Sequence, residues 1–348
     1  MRFYPNQHKY YCGIDLHARS MYICILDQAG NTILHRNIRS NPELFLKVVD
    51  PYLEDMVVAV ECLFTWYWIA DFCALHNIPF VLGHALYMKA IHGGKTKNDR
   101  IDSHKIALLL RGGMLPMAYV YPPKMRATRD LLRRRNHLMR KRAELLVHIQ
   151  NTNFQYNLPE FGKKIAYKTN RMGIETRFDD PSVRKNVQVD MALLDTYDTL
   201  LTNLELYIVK HAKEHDVHTF YRLRSIPGVG KILALVMLYE IHDINRFPRV
   251  QDFVSYARLV TPTKESAGKP AGKPNKKIGN VHLKWAFSEA ACLILRESER
   301  VKSYMQKLER KHGKAKALSV LAHKLGRAVY YMLRNNQPFD MDKFFNKS

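Results

Sequence analysis

The stretch "YYCGIDLHARSMYICILDQAGNTILHRNI" at residues 10–38 decides the fold of the first part of the chain. It contains short apolar runs at 10–15 and 21–27, and the turn signal QAGN leads from the second run into TILHRNI at 32–38. Because the connections are short, the stretch predicts three consecutive strands. The first of these runs ends on an acid, Asp15.

Helical and strand patterns alternate in the residues that follow. They are a helical spacing at 42–53 that Pro51 would end, a buried strand at 56–61 closing on Glu61, an amphipathic helix at 66–77, a strand at 78–83 and a helix that begins near Asp99. This order predicts an α/β domain of the RNase H-like (RuvC-like) type.

The charge of the chain indicates a polyanionic partner. Its 348 residues include 55 Lys and Arg against 32 Asp and Glu, a net charge of +23. Clustering of this charge favours nucleic acid over the alternative of a merely soluble basic protein. The five cysteines form no CxxC pair, which favours reduced thiols over disulfides or zinc. No membrane-length apolar run and no signal-peptide pattern occur, so we expect a cytoplasmic protein without a membrane partner.

The middle of the chain, 124–215, is expected to be helical. Nine of the nineteen residues in 124–142 are Lys or Arg, and apolar residues continue at helical spacing beyond them. A second helical pattern at 190–215 predicts a coiled-coil hairpin around the poorly patterned segment 151–188. The basic helix could be a solvated charged face, but its charge density favours contact with phosphates.

The region 216–348 predicts a mostly α-helical domain. Its PGVG turn at 227–230 precedes a long apolar helix, as in a helix–hairpin–helix unit, where glycines and a helix N-terminus meet a phosphate. The same turn could simply lead into a buried helix. A Gly/Pro/Lys loop follows within 258–291, and helical patterns extend to about 336.

Four acids of the first domain could converge on a metal ion. Asp15 and Glu61 end the first and fourth strands, which are neighbours in an RNase H-like sheet, and Asp99 and Asp102 open a helix soon after the fifth strand. Four converging carboxylates would repel one another without a cation, and hard oxygen ligands select Mg²⁺ or Mn²⁺. Two such ions about 4 Å apart can clamp both oxygens of a phosphodiester displacement.

Each acid also has a simpler explanation. Asp15 could be a turn residue, Glu61 could cap the next helix, and Asp99 could be an N-cap with Asp102 stabilising the helix dipole. The strand order suits all four acids at once, which favours the metal site. The nearby histidines show no metal-ligand spacing and are interpreted as structural or phosphate-contacting; they are His17, His84, His92 and His104.

The motifs resemble those of a known family. GIDLH at 13–17, VAVE at 58–61 and KTKNDRIDSHKIALLL at 95–110 resemble the DEDD motif of a family of insertion-sequence transposases. The segments 225–261, 264–269 and 276–291 resemble its C-terminal transposase domain. The family includes the DNA invertases that flip pilin genes, and its transposases are described as recombinases guided by a bridge RNA.

The resemblance implies a mechanism. It places the acidic tetrad on Asp15, Glu61, Asp99 and Asp102, and a nucleophilic serine, which forms a covalent phosphoserine with DNA, on Ser266 in KESAGK. The implied partners are donor and target double-stranded DNA, an element-encoded noncoding guide RNA, and other copies of the chain in a dimer or tetramer. The acids and the serine could come from one chain or from two.

We therefore predict an RNA-guided transposase with domains at 1–123, 124–215 and 216–348. Two alternatives remain: a hydrolytic nuclease such as a junction resolvase, in which Ser266 is dispensable, and a nucleic-acid-binding protein whose acids are only caps. The cations expected to bind nucleic acid are Lys95, Lys97, Arg133, Arg134, Arg135, Arg140, Lys141, Arg142, Lys231, Lys264, Lys269, Lys273, Lys276 and Lys277.

Overall fold

The computed structural model describes residues 2–91, 98–261, 265–266, 269–270 and 278–345. The chain divides into two compact units, Met1–Pro123 and Lys124–Ser348. The first is a mixed α/β unit and the second is mostly helical. The further division into three domains, near residue 215, stays a prediction.

The first unit contains a five-stranded sheet. Its strands are β1 (Tyr10–Leu16), β2 (Ser20–Asp27), β3 (Thr32–Arg39), β4 (Met56–Glu61) and β5 (Phe80–Gly83). The order across the sheet is β3-β2-β1-β4-β5. β1 is antiparallel to β2 and parallel to β4, and the register pairs Ile14 with Val60. The first and fourth strands are therefore neighbours, as the sequence predicted.

Helices cover both faces of this sheet. They are α1 (Pro42–Val49), α2 (Trp66–Leu75), α3 (Ala85–Ile91) and α4 (Asp99–Arg111). One sheet face packs against α1 and α2, while the other packs against α4. The helix predicted at 42–53 ends at Val49, and a 3-10 turn containing Pro51 follows. The sequence pattern did not indicate α3.

Two long helices open the second unit, α5 (Pro123–Gln155) and α6 (Pro181–His211). Ion pairs join them in antiparallel order: Arg135 with Glu205 at 2.6 Å, and Arg142 with Asp198 at 2.5 Å. A separate apolar cluster around Ile149 holds the segment between the helices against them. The predicted pairing of two long helices is confirmed, whereas a coiled-coil geometry stays a prediction.

The remaining helices of the second unit share one large apolar core. They are α7 (Val217–Arg224), α8 (Lys231–Ile241), α9 (Val250–Tyr256), α10 (Val281–Glu297), α11 (Glu299–His312), α12 (Lys314–Arg334) and α13 (Met341–Phe345). Every residue of α8 from Leu233 to its end is buried. Among the described residues, no helix combines the length and the apolar character that crossing a bilayer requires.

The PGVG turn joins α7 to α8. Gly228 has φ +81°, and a Cβ there would lie 2.8 Å from the Leu293 carbonyl carbon in α10. Its missing side chain therefore lets the turn pack on α10, which corrects the interpretation that this glycine leaves room for a phosphate. Gly230, by contrast, has open space around its Cα.

Candidate functional site

Asp15 and Glu61 lie on the same face of the sheet. Ile14 and Val60 are paired in the β1–β4 register and both belong to the core on the α1/α2 side. Side chains alternate along a strand, so the next residue on each strand points to the opposite face. Asp15 and Glu61 are those next residues, and they therefore face the α4 side at the carboxyl ends of adjacent strands.

Gly13 sets the distance between α4 and this face. A Cβ at Gly13 would lie 2.3 Å from the Ala107 nitrogen and 2.5 Å from the Ser103 oxygen, distances that no side chain could occupy. The helix therefore rests directly on the backbone of β1. Asp99 lies one turn before Ser103 and Asp102 directly precedes Ser103, so the first turn of α4 presents its acids near Asp15.

The start of α4 is fixed by Asn98. The Asn98 side chain accepts a hydrogen bond from the Ile101 backbone nitrogen at 2.8 Å, which makes Asn98 the N-cap. Asp99 is the first helical residue, so the alternative that Asp99 is the cap is wrong. Glu61 likewise does not cap α2, whose N-cap is Thr65. Asp15 lies within β1, opposite Tyr22, and is not a turn residue.

Three side chains meet at this corner of the unit. His17 Nε2 lies 3.4 Å from Asp15 Oδ2 and 3.5 Å from Asp99 Oδ2. One ligand atom from each of Asp15, His17 and Asp99 lies within 4.8 Å of the other two. We refer to these three residues as the acidic cluster. Its histidine is the member that the sequence analysis missed, because a ligand two residues after Asp15 forms no familiar spacing.

The electrostatics of the cluster favour a bound cation. Asp15 is 7% exposed, and burial raises the pKa of its carboxyl group. The charges of Asp99 and Asp102 raise this pKa further, while His17 opposes the shift. A positive ion beside Asp15 would compensate both its desolvation and the repulsion from the other two acids.

Asp102 and Glu61 are related to the cluster less directly. Asp102 Oδ1 lies 3.5 Å from Lys105 Nζ, one turn along α4, and its charge reaches Asp15. Glu61 is half-buried and is brought to the same edge by the strand register. Of the four predicted acids, Asp15 and Asp99 belong to the acidic cluster. Asp102 and Glu61 lie on the same side of the sheet but outside the cluster.

The donor set fits a divalent metal. Two carboxylates, one of them buried, and an imidazole offer oxygen and nitrogen ligands, a set that suits Mn²⁺ and is compatible with Mg²⁺ when waters complete the coordination. Asp15, His17 and Asp99 are the residues that would hold the ion.

Ser266 lies in a minimal antiparallel ladder. β6 (Glu265–Ser266) pairs with β7 (Lys269–Pro270), and the register sets Ser266 opposite Lys269. Lys269 is exposed. The other cations predicted in this loop, and two in the first unit, lie outside the described residues; they are Lys95, Lys97, Lys264, Lys273, Lys276 and Lys277, and His92 lies outside them too.

The basic helix α5 uses much of its charge internally. Arg133, Arg135 and Arg142, all predicted to contact nucleic acid, pair with Glu240, Glu205 and Asp198. Their guanidinium groups are therefore engaged within the unit, and their contact with nucleic acid stays a prediction. Besides Lys269, the described cations of this prediction that are exposed are Arg134, Arg140, Lys141 and Lys231, of which Lys141 pairs with Glu144.

Glu240 is the centre of a buried network that the sequence did not reveal. It is 2% exposed and accepts hydrogen bonds from Arg129 at 3.0 Å and Arg133 at 2.6 Å. Burial alone would raise its pKa, but the hydrogen bond from Arg133 and the charges of both arginines lower the pKa to about 2. Asn280 joins the network with a hydrogen bond to Glu240 at 2.8 Å.

Asn280 closes the segment that contains Ser266. It caps α10 by accepting hydrogen bonds from the nitrogens of His282 and Leu283. Its own backbone nitrogen donates to the Tyr256 oxygen at 2.6 Å, and Arg258 Nε donates to the Ile278 oxygen at 2.8 Å. These bonds join the residues before the serine segment to those after it.

Two protein-family models match segments of this chain. Residues 12–156 match the model of the IS110-type DEDD transposase domain, and residues 221–306 match the model described as "Transposase IS116/IS110/IS902 family". The first match contains all four acids and the second contains Ser266. The class of protein defined here is a transposase, an enzyme that acts on DNA.

Individual relatives extend the similarity over most of the chain. The chain is 22% identical over 339 residues to the transposase for insertion sequence element IS1111A of Coxiella burnetii, covering 94% of this chain and 90% of that protein. It is 25% identical over 345 residues to the transposase for element IS1328 of Yersinia enterocolitica, covering 94% and 97%. The chain belongs to the IS110/IS116 family of DEDD transposases. A DEDD domain implies a divalent metal, which the acidic cluster fits.

Proposed function

We propose that this protein is an RNA-guided DNA transposase that cleaves and rejoins donor and target DNA through a 5′-phosphoserine at Ser266. The single observation that carries the proposal is the meeting of Asp15, His17 and Asp99 in a domain that matches DEDD transposases. We assign the first unit to the RNase H-like fold on its strand order and on the position of its acids.

The acids have separate roles in this proposal. Asp15, His17 and Asp99 would hold the metal ion, Mg²⁺ or Mn²⁺, while Glu61 and Asp102 complete the negative edge. When bound, the ion supplies positive charge to the oxygens of the scissile phosphate. His17 Nε2, which lies 3.4 Å from Asp15 Oδ2 and 3.5 Å from Asp99 Oδ2, would supply the nitrogen ligand. Lys105 Nζ lies 3.5 Å from Asp102 Oδ1 and holds the Asp102 carboxylate in place, so the negative charge of Asp102 adds to the site.

The serine step conserves the energy of the phosphodiester bond. Ser266 Oγ attacks the phosphorus, the new O–P bond forms as the P–O3′ bond breaks, and the serine proton passes to the departing 3′-hydroxyl. A 3′-hydroxyl from the other duplex then attacks this phosphorus, the new O3′–P bond forms as the P–Oγ bond to Ser266 breaks, and the hydroxyl proton passes to the serine Oγ. Neither step consumes ATP. An unactivated serine is a weak nucleophile, so the neighbouring lysines and the metal must stabilise the developing charge.

The nucleic acids are bound by both units in this proposal. A net charge of +23 favours DNA and RNA together. Arg134 and Arg140 are exposed on α5, and Lys231 opens α8 beside the unobstructed Gly230. An element-encoded guide RNA would select the sites, because phosphate contacts carry no sequence information. Joining two duplexes requires at least a dimer, and we propose a dimer or tetramer.

A covalent-trapping experiment tests the proposal. Full-length protein is incubated with the noncoding RNA flanking its element, end-labelled donor and target duplexes and Mg²⁺, and the products are separated on a denaturing gel. Wild type, Ser266→Ala and Asp99→Ala are compared, with EDTA and RNA-free reactions as controls. We expect a labelled adduct only for wild type with metal and RNA, mapping to Ser266 by mass spectrometry.

Two other results would identify the alternatives. Free cleaved DNA without an adduct, still produced by Ser266→Ala, would indicate a metal-dependent hydrolytic nuclease. Binding of the same duplexes without any cleavage by wild type, unaffected by Asp15→Ala, would indicate a protein that only binds nucleic acid.

A further inference from the structure

A basic and aromatic groove runs along α12 in the second unit. One side is formed by α12 residues at helical spacing, including Lys324, Arg327 and Tyr331, and the other by the segment from Gln337 to Phe344. Its volume is about 480 Å³. We call it the α12 groove. A volume of this size is typical of sites that hold one small molecule or one nucleotide.

The two α12 cations of the groove have no acidic partner among the described residues. Lys324 Nζ lies 5.2 Å from the Phe344 ring centroid and 5.5 Å from the Tyr304 ring centroid, so its surroundings are aromatic. Within the part of the chain that the structure describes, no carboxylate lies within ion-pair distance of Lys324 or Arg327. The groove is therefore short of negative charge.

The one acid that lines the groove is already engaged. Asp340 Oδ1 accepts hydrogen bonds from the backbone nitrogens of Asp342 at 2.8 Å and Lys343 at 3.0 Å, at the start of α13. This carboxylate serves as a helix cap and has no ion pair with Lys324 or Arg327 in the described residues. Within the described residues, no carboxylate pairs with the two cations to compensate their mutual repulsion.

The positive charges of Lys324 and Arg327 repel each other, and the pKa of Lys324 shows this repulsion. Burial lowers the pKa of Lys324, and the charge of Arg327 lowers it further. The same two causes lower the pKa of His323. A bound anion would offset this repulsion, since it would favour the charged form of Lys324. Lys324 and Arg327 lie about one turn apart on α12 and line the same groove, so one phosphate there could contact both cations.

An exposed aromatic ring stands beside the cations. Tyr331 lies one turn beyond Arg327 on the same face of α12 and is 42% exposed. Aromatic side chains next to basic ones are the usual means of binding single-stranded nucleic acid, because each base has a face that can stack. A base inside a duplex has both faces covered and could not stack on Tyr331 without leaving its neighbours.

We propose that the α12 groove binds one nucleotide of a single-stranded segment of nucleic acid. Lys324 and Arg327 contact its phosphate, and Tyr331 stacks on its base. The proposal rests on the proposed function only in requiring that the chain handles nucleic acid. It involves neither Ser266 nor the metal, so it can hold where the phosphoserine mechanism fails. An acidic peptide could also neutralise the cations, but it would leave Tyr331 without a role.

Binding measurements on the full-length chain test the proposal. Fluorescence anisotropy is recorded for a labelled 12-nucleotide single strand and for the corresponding duplex, in EDTA so that no cleavage occurs. The variants are Lys324→Gln, Arg327→Gln, Tyr331→Ala and Tyr331→Phe. The matched control is Lys316→Gln, an exposed lysine near the start of the same helix that does not line the groove.

We expect single-strand affinity to fall about tenfold for Tyr331→Ala and to remain within about twofold for Tyr331→Phe, which keeps the stacking ring. Each of the two cation variants should reduce the slope of log affinity against log salt by about 1. Lys316→Gln and duplex binding should change little. Unchanged thermal melting would show that each variant is folded.

Several outcomes would overturn the proposal. They are equal losses for single strand and duplex, a loss for Lys316→Gln as large as for Lys324→Gln, or displacement of the single strand by a polyglutamate peptide at equal charge concentration. Ser266→Ala should bind the single strand as wild type does, so a failed trapping experiment leaves this result interpretable.

Discussion

Asn280 donates a side-chain hydrogen bond at 2.8 Å to Glu240, a residue forty positions earlier that is buried between two arginines of α5. Asn280 is also the N-cap of α10, and its backbone nitrogen donates to the Tyr256 oxygen, which precedes the serine segment. One buried carboxylate therefore connects the basic helix, the core helix α8 and the end of the segment that contains Ser266.

Glu240→Gln should strongly destabilise the second unit. The substitution removes the counter-charge of Arg129 and Arg133 and leaves them partly buried without a carboxylate. We expect the free energy of unfolding, from urea titration at pH 7, to fall by about 3–5 kcal/mol. Glu289→Gln, at an exposed position of α10, is the control and should change stability by less than about 0.5 kcal/mol. Equal stability of the two variants would contradict the role assigned to Glu240.

The same carboxylate predicts a dependence on pH. Its pKa is about 2 when folded and would be near 4.5 when unfolded, so the unfolded chain binds the proton more tightly. This contribution to stability is fully present above about pH 4.5 and is lost as the pH falls toward 2. Urea titrations across this range should show a steeper loss for wild type than for Glu240→Gln. Parallel curves would be inconsistent with the lowered pKa.

Asp99→Asn should weaken metal binding without damaging the fold. The Asp99 side chain is about half exposed, so its replacement costs little stability, but the acidic cluster loses one of two carboxylates. We expect Mn²⁺ affinity, measured by electron paramagnetic resonance of the free ion, to fall roughly tenfold or more. Glu43→Gln, an exposed acid of α1, is the control. An unchanged Mn²⁺ affinity for Asp99→Asn would exclude Asp99 as a ligand.

Substitutions of two adjacent arginines should affect different properties, nucleic-acid binding for Arg134 and stability for Arg135. Arg134 is exposed, whereas Arg135 is paired with Glu205 on α6 at 2.6 Å. Arg134→Gln should weaken nucleic-acid binding and reduce the salt slope by about 1, with a stability change below about 0.5 kcal/mol. Arg135→Gln should lower the unfolding free energy by about 1 kcal/mol and affect binding less. Anisotropy and urea titration of both variants compare the two roles, and the reverse pattern would refute them.

Gly13→Ala should displace Asp99 from the acidic cluster, although Gly13 is not a member of the cluster. The new methyl group would overlap the backbone of Ala107 and Ser103, so α4 must shift away from β1. We expect weaker Mn²⁺ binding, loss of DNA cleavage and a lower melting temperature. Gly162→Ala, at a position with open space, is the control and should behave as wild type. Normal Mn²⁺ binding by Gly13→Ala would show that α4 can adjust without moving Asp99.

The sequence predicted the sheet well because its signals are local. Most of the strands are short apolar runs with clear ends, and Asp15 and Glu61 lie at the ends of two of them, so the neighbouring positions of these two acids followed from the strand order. The position of His17 between Asp15 and Asp99 did not follow, because it depends on how closely α4 approaches β1. The Arg133–Glu240 pair joins residues more than a hundred positions apart, and nothing near either residue indicates its partner.

The contact between Gly13 and α4 has a consequence for how the first unit can vary. The helix that presents Asp99 and Asp102 is seated on main-chain atoms, and main-chain dimensions are the same whatever the surrounding side chains are. Substitutions that repack the apolar layers can therefore accumulate while the separation between strand and helix is preserved. The spacing of the acids therefore does not depend on which apolar side chains fill the core. It does depend on the absence of a side chain at position 13, because any Cβ there would push α4 away from β1.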